Sequence, residues 1–341
     1  MVFERFCLAA MAVLLPAAAS EARTDPKLQA VLVERDHDEH PDLKGVVILR
    51  AGKIVAERYY NGETARSLHD IRSAGKSITS LLLGIAIDRG AIKSVTDPVA
   101  AYWPEAKHSA IGSVPLDDVL TMRSGLAAYD EDPASPGNED KMDAAPDPLS
   151  FVLAVPAADP PGSVYRYNSV TAYTAGVVIA KATHQKMASF ARSALFAPLG
   201  ITRWQWASDS AGYTKGQGNL SITARGLAAI GELVRNDGRH HGRQLVSAAW
   251  LHRALAPKVN ISATDPYADG YGYFWYAKVQ PVGDRQIPVS FASGNGGNKI
   301  YVVPSRRLVI AITSSAYGHG YGQRRSESIL KAVLAADGSA R

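Results

Sequence analysis

Ile71-Arg72-Ser73-Ala74-Gly75-Lys76-Ser77-Ile78-Thr79-Ser80-Leu81-Leu82-Leu83-Gly84-Ile85-Ala86-Ile87-Asp88-Arg89-Gly90 is the stretch from which the rest of the chain is read. No charged residue falls between Ser77 and Ile87, the pattern of a helix buried on most sides. Asp88-Arg89-Gly90 then supplies a polar end and a glycine stop. At the front, Ser73 and Lys76 stand three residues apart, so a helix brings both side chains to one face. A serine hydroxyl is a weak nucleophile until something takes its proton. A lysine can take it where a dry site makes the ammonium costly. The helix N-terminus adds positive potential where an oxyanion would develop.

Ser-x-x-Lys is a short pattern, and a second copy stands at Ser328 and Lys331. That copy falls in an amphipathic run, residues 327–336, where a lysine belongs in water. Only the first copy has small neighbours, Ala74 and Gly75, and a long apolar helix behind it.

The 341 residues, 46% hydrophobic and 20% charged, suffice for one large core or two layers sharing an interface. The net charge of +5 comes without any lysine–arginine block interleaved with aromatics, so nucleic acid is not an expected partner. Residues 1–22 read as a signal peptide. Arg5 precedes an apolar run from Phe6 to Leu15, and small residues follow, Ala-x-Ala before Ser20 or Ser-x-Ala before Arg23. Export to a periplasm or beyond is expected. The apolar run is too short to span a bilayer, and no other stretch is long and apolar enough. Cys7, the only cysteine, lies in this leader, leaving the mature chain without disulfide or thiol nucleophile.

Along the chain, residues 25–35 have helical spacing, and 45–50 with 53–60 form a hairpin about Ala51-Gly52. His37 and His40 among carboxylates fall in a polar loop and are not taken as metal ligands. Helices are expected at 116–122, 170–183, 190–199, from Leu220 through Thr223 as N-cap to Asp237-Gly238, and at 248–255. Strands are expected at 270–279, 287–292, 300–303 and 308–313, with a covering helix at 326–336. Strands at both chain ends with helices between them give an α+β fold: an antiparallel sheet flanked by helices, plus a mostly helical domain. The division is residues 23–80 with 210–341 for the α/β domain and 81–209 for the helical one. Asp130, Glu131, Asp132, Glu139, Asp140, Asp143 and Asp147 crowd the apolar-poor segment 129–147. It reads first as a solvated excursion, and second as a rim recognising a cationic group on a substrate.

Acyl transfer by serine needs a nucleophile, proton shuttles, oxyanion donors and a cleft. Ser73 and Lys76, Tyr167 at a turn, and the glycine-rich edge at 294–297 offer these in order. A tyrosine beside a lysine can relay protons, and glycines let a substrate approach the backbone. No Gly-x-Ser-x-Gly elbow is present, which counts against an α/β-hydrolase.

Ile71 to Ser77 with its helix, Leu120-Thr121-Met122-Arg123-Ser124-Gly125-Leu126, Pro161-Gly162 to Tyr167-Asn168-Ser169, Pro198-Leu199-Gly200-Ile201, Leu220 to Arg225, Tyr271-Gly272-Tyr273-Phe274-Trp275 and Gly294-Asn295-Gly296-Gly297 follow one another. In that order they resemble the serine β-lactamase and penicillin-recognising superfamily, class C-like branch, and 6-aminohexanoate-dimer hydrolase-type esterases within it. The resemblance implies a sheet domain facing a helical domain with the site between them. By position it makes Ser73 the acylated nucleophile, with Lys76 and Tyr167 moving protons. The backbone N–H groups of Ser73 and Asn298 would form the oxyanion hole. Ser169, Asn295, Gly296, Gly297 and Asn298 would meet the substrate. Two departures stand out. Ser169 replaces the asparagine of the family's Tyr-x-Asn, and a neutral Asn295 replaces the cation of Lys-Thr-Gly, which argues against efficient β-lactam hydrolysis. The expectation is an exported serine hydrolase for a small ester or amide, with no metal or cofactor. The alternatives are a D-amino-acid peptidase, a weak β-lactamase, or a non-hydrolytic penicillin-binding sensor.

Overall fold

Leu308-Val309-Ile310-Ala311-Ile312-Thr313-Ser314 is buried at every position, as in a strand covered on both faces. In the computed structural model, which describes residues 24–337, this strand lies inside an eight-stranded sheet. The order is Lys53–Tyr59, Leu43–Arg50, Leu308–Ser314, Asn298–Val303, Arg285–Gly294, Tyr276–Val282, Gly270–Tyr271, Val259–Asn260. All neighbours are antiparallel. The expected hairpin turns through Ala51 and Gly52, both at positive φ. Its first strand pairs with the last strand of the chain, Ile48 opposite Ile310. The sheet is therefore built from both ends of the sequence. The leader read at residues 1–22 lies outside the described residues.

Two sets of helices cover the sheet. Ala224–Arg235 lies on the face that carries Val309 and Ile300, and it comes so close that a Cβ on Gly231 would stand 2.5 Å from Val309 Cγ1. Gly320–Ala336 takes the other face, with Arg325 bonded to Ser314 Oγ at 2.7 Å and packed beside the Pro26–Val33 helix. Ala74–Asp88 packs against the Arg285–Gly294 strand on one side and the Ser169–Thr183 helix on another. Every residue from Ala74 to Ala86 is buried. This helix is the joint between sheet and helical region, which explains its unbroken apolar sequence.

Some elements differ from expectation. Leu220–Ile222 is not helical but the middle strand of a small antiparallel sheet with His69–Asp70 and Trp204–Trp206. Leu220 and Ile222 are buried while Ser221 is half-buried, the period of a strand. Thr223 then caps the helix, its Oγ1 accepting from Gly226 N at 3.0 Å. The run at 270–279 is split into Gly270–Tyr271 and Tyr276–Val282, separated by Phe274 at φ +57°. The 190–199 region is a short helix, Met187–Ala191, continued by a π-turn. The terminal helix begins early, at Gly320, and leaves Ser328 and Lys331 exposed to solvent. No helix among the described residues is long and apolar enough to cross a membrane.

Candidate active site

Chain geometry at the head of the buried helix sets the position of Ser73. Arg72 adopts φ +50°, uncommon for a residue with a side chain. It is held there by Asp70 Oδ1, which accepts its N–H at 2.8 Å, and by Tyr317, whose ring centroid lies 4.3 Å from its guanidinium. Ser73 follows as the residue before Ala74–Asp88, half-buried at the edge of a cleft of about 710 Å³. Its backbone N–H has no hydrogen-bond partner among the described residues.

One turn on, Lys76 is 1% exposed. Its Nζ donates to Ser73 Oγ at 3.0 Å, Ser169 Oγ at 3.1 Å and the Gln217 carbonyl at 2.9 Å. These three acceptors match the three N–H bonds of an ammonium. The Tyr167 ring centroid lies 5.0 Å from the same nitrogen. Burial alone would lower the lysine pKa, but Tyr167, Glu139 and Asp130 more than offset it and raise it above the ordinary lysine value. The expectation of an amine neutralised by a dry site is therefore corrected. The site is dry, but it is also acidic, and Lys76 is held as the cation.

Ser169 explains part of that acidity. Its backbone N–H and Oγ donate to the two oxygens of Asp130 at 3.1 and 2.8 Å. A continuous chain results, from Ser73 through Lys76 and Ser169 to the Asp130 carboxylate. Asn168 places Ser169 by capping the Ser169–Thr183 helix, its Oδ1 accepting from Thr171 N at 2.7 Å. The short serine thus leaves room for a carboxylate where the longer asparagine was expected. The 129–147 segment is exposed along much of its length, as a solvated excursion is, but it does not leave the site. It folds back along the cleft, with Asp130, Glu131 and Glu139 in the lining.

The glycine-rich edge is placed differently from expectation. Ser293, Gly294 and Asn295 border the cleft, and Gly296, Gly297 and Asn298 do not. A Cβ on Gly294 would lie 2.0 Å from Ile71 O and 3.0 Å from Ala74 N, so this glycine lets the strand reach the serine's helix. Gly296 and Gly297 turn the chain at φ +84° and +90° against Tyr317 and Gly322. Asn298 is wholly buried, its Nδ2 donating to Asn295 O and Ser314 O at 2.9 Å each. It clamps the turn from behind. The Asn295 backbone N–H, in contrast, has no partner among the described residues.

Sequence reasoning placed Ser73, Lys76, Tyr167, Ser169 and Asn295 where the structure brings them together. It missed Asp130 and Glu139 as neighbours of Lys76, and Gln217 and Ser293 in the wall. Crowding of acids at 129–147 was the one signal available for the first two. Nothing in the local sequence marks Gln217. Among the described residues no group of three or more metal-ligating side chains could hold an ion.

Comparison with known proteins agrees with this architecture. The chain is 26% identical over 286 residues to a 6-aminohexanoate-dimer hydrolase from Paenarthrobacter ureafaciens, covering 77% of this chain and 72% of that one. A class C beta-lactamase from Rhodobacter sphaeroides superposes with a TM-score of 0.66 at 16% identity, over 90% of this chain and 98% of the other. EstCE1, described as a hydrolase with promiscuous acyltransferase activity, gives 0.71 at 15% identity, over 92% and 98%. The family model described as Beta-lactamase matches residues 33–334. That match spans both the sheet and the helical region that meet at Ser73, and the chain belongs to the beta-lactamase family.

Proposed function

We propose that this protein is an exported serine hydrolase that cleaves a small ester or amide through an acyl-enzyme on Ser73. The observation that carries the reading is the 3.0 Å contact between the half-buried Ser73 hydroxyl and the buried Lys76 amine at the edge of a cleft. Export rests on the n-region, apolar run and small residues of positions 5–22.

A hydroxyl that accepts from an ammonium cannot pass that ammonium its proton. Lys76 first sends a proton along its bond to Ser169 Oγ, whose own proton moves to Asp130, and then takes the proton of Ser73. Ser73 Oγ adds to the acyl carbon, and the oxyanion is met by the unpartnered N–H groups of Ser73 and Asn295. Asn295 takes this part in place of Asn298. Tyr167, beside the ammonium, relays a proton to the leaving oxygen or nitrogen as the bond to it breaks. Water then attacks the acyl-enzyme by the reverse path, and the acid is released.

Ser73→Ala tests the reading on a p-nitrophenyl ester. Wild type should give a burst of p-nitrophenol followed by steady turnover, and the variant neither. Steady turnover surviving the substitution would remove Ser73 from the nucleophile's position. A stoichiometric burst without turnover in wild type would favour the sensor.

A further inference from the structure

Lys299 is a buried amine for which the steps at Ser73 have no use. It is 2% exposed, and no carboxylate pairs with it among the described residues, since Glu327 of the terminal helix bonds to Lys278 instead. Ring centroids lie 4.9 Å from its nitrogen for Phe291 and 5.9 Å for both Tyr267 and Tyr301. A buried ammonium without a carboxylate beside it is a cost to the fold. Its one hydrogen bond among the described residues runs to Ser293 Oγ at 2.7 Å, and Ser293 lines the cleft.

That bond has a fixed direction. An ammonium has three donors and no lone pair, so Ser293 Oγ accepts. The hydroxyl's own proton then points away from Lys299, and no acceptor meets it among the described residues. Ser293 is half-buried in the cleft wall, so this proton is a donor open to a ligand, strengthened by the cation behind it. Asp265 lines the same cleft and is close enough to act on Lys299. A carboxylate there opposes an anionic partner, and the ligand atom that fits is an uncharged oxygen.

The bond reverses with the charge of the lysine. A neutral amine has a lone pair, and the hydroxyl then donates to it rather than to the cleft. Burial pushes Lys299 down to about 8, against Asp265 on the 264–265 turn and Glu327 on Gly320–Ala336, and with Lys278 on Tyr276–Val282. These are the charged groups that face it from the elements packed around it. The Tyr301 hydroxyl is raised by the same burial and stays un-ionised.

We propose that Ser293 is a specificity residue of the cleft, with Lys299 as its positioning residue. The Ser293 O–H donates to an uncharged oxygen of the substrate, a carbonyl or an ether, while Lys299 is an ammonium, and turns back to the amine when Lys299 is neutral. The inference rests on the hydrolase reading above. It also gives the cost of burying Lys299 a function, since only a cation behind the hydroxyl keeps its proton aimed at the cleft.

Pairs of p-nitrophenyl esters with an ether oxygen in place of one methylene decide it: methoxyacetyl against butanoyl, 3-methoxypropanoyl against pentanoyl, and 4-methoxybutanoyl against hexanoyl. The members of a pair share the nucleophile and its proton shuttles, so the ratio of their kcat/KM values cancels the chemistry common to both. At pH 7 the ether-to-methylene ratio of wild type should exceed that of Ser293→Ala by about threefold or more in at least one pair, the worth of one hydrogen bond. By pH 9 it should fall most of the way to the variant's value, because kcat/KM follows the ionisation of the free enzyme. Lys299→Met should make the ratio independent of pH, and methionine suits the ring-lined site, so that variant keeps the fold. A wild-type ratio equal to that of Ser293→Ala in every pair, one unchanged between pH 7 and pH 9, or a pH dependence that persists in Lys299→Met would overturn the proposal. Failure of the Ser73 reading shows instead as p-nitrophenol release surviving Ser73→Ala. It leaves the ratios readable, because both esters of a pair meet the same nucleophile.

Discussion

Lys76 is held as a cation by Tyr167 and by two carboxylates the sequence did not tie to it, Glu139 and Asp130, and this makes Asp130 the residue to change. Asp130→Asn removes one of the charges that raise the lysine pKa. The ascending limb of kcat/KM against pH should therefore move to lower pH. Maximal kcat should fall by about 10²-fold or more as the relay loses its terminus. A limb that stays in place would show that Asp130 does not act on the amine. Lys299 is the opposite case. It is buried among Phe291, Tyr301 and Tyr267 with one hydrogen bond, to Ser293 Oγ at 2.7 Å, and desolvation pushes its pKa down to about 8. Between about 8 and a free lysine's value near 10.4, the unfolded chain binds more protons than the folded one, so this residue makes stability rise with pH. Below that window its burial is a standing cost. Lys299→Met should raise unfolding free energy at pH 7, by up to about 3 kcal/mol, and the gain should fade by pH 10. Urea unfolding of both proteins at the two pH values reads it. These two lysines show what one chain can hide: sequence gives the residue type, while the neighbours that set its charge arrive from tens of positions away.

At the scale of elements, the close contact of Ala224–Arg235 with the sheet depends on a missing side chain. Gly231→Ala would push a methyl into Val309 and Ile300, which are fully buried and have no room to retreat. The expected loss is about 1–3 kcal/mol, seen as a lower urea midpoint with unchanged slope. An unchanged midpoint would mean that the helix can ride outward freely. Elements with a single strong period were legible: the hairpin from alternation about Ala51-Gly52, the buried helix from its missing charges, the last strands from their apolar runs. Leu220–Ile222 was not, because three residues before a capping threonine look like the start of the helix, and only distant partners at His69–Asp70 and Trp204–Trp206 make them a strand. The turn at 294–298 misled for a similar reason. Its glycines advertise backbone freedom, but which of them faces the cleft depends on register with the neighbouring strand, Gly294 opposite Asn298.

For the whole molecule, the two-part architecture could be read because both chain ends carried strand patterns and the middle carried helical ones. The charge of the cleft could not, since it is assembled from the 129–147 segment, the 264–265 turn and the wall at Gln217, which meet only in three dimensions. The pairing of Ile48 with Ile310 has a consequence for synthesis. At elongation speeds of about 5–20 residues per second, the hairpin leaves the ribosome roughly 13–50 s before its central partner exists. Through that interval Val46, Val47 and Ile48 lack their central partner strands, so the sheet stays open until residues 298–314 emerge. A chain that cannot close early is suited to passage through a narrow pore ahead of folding.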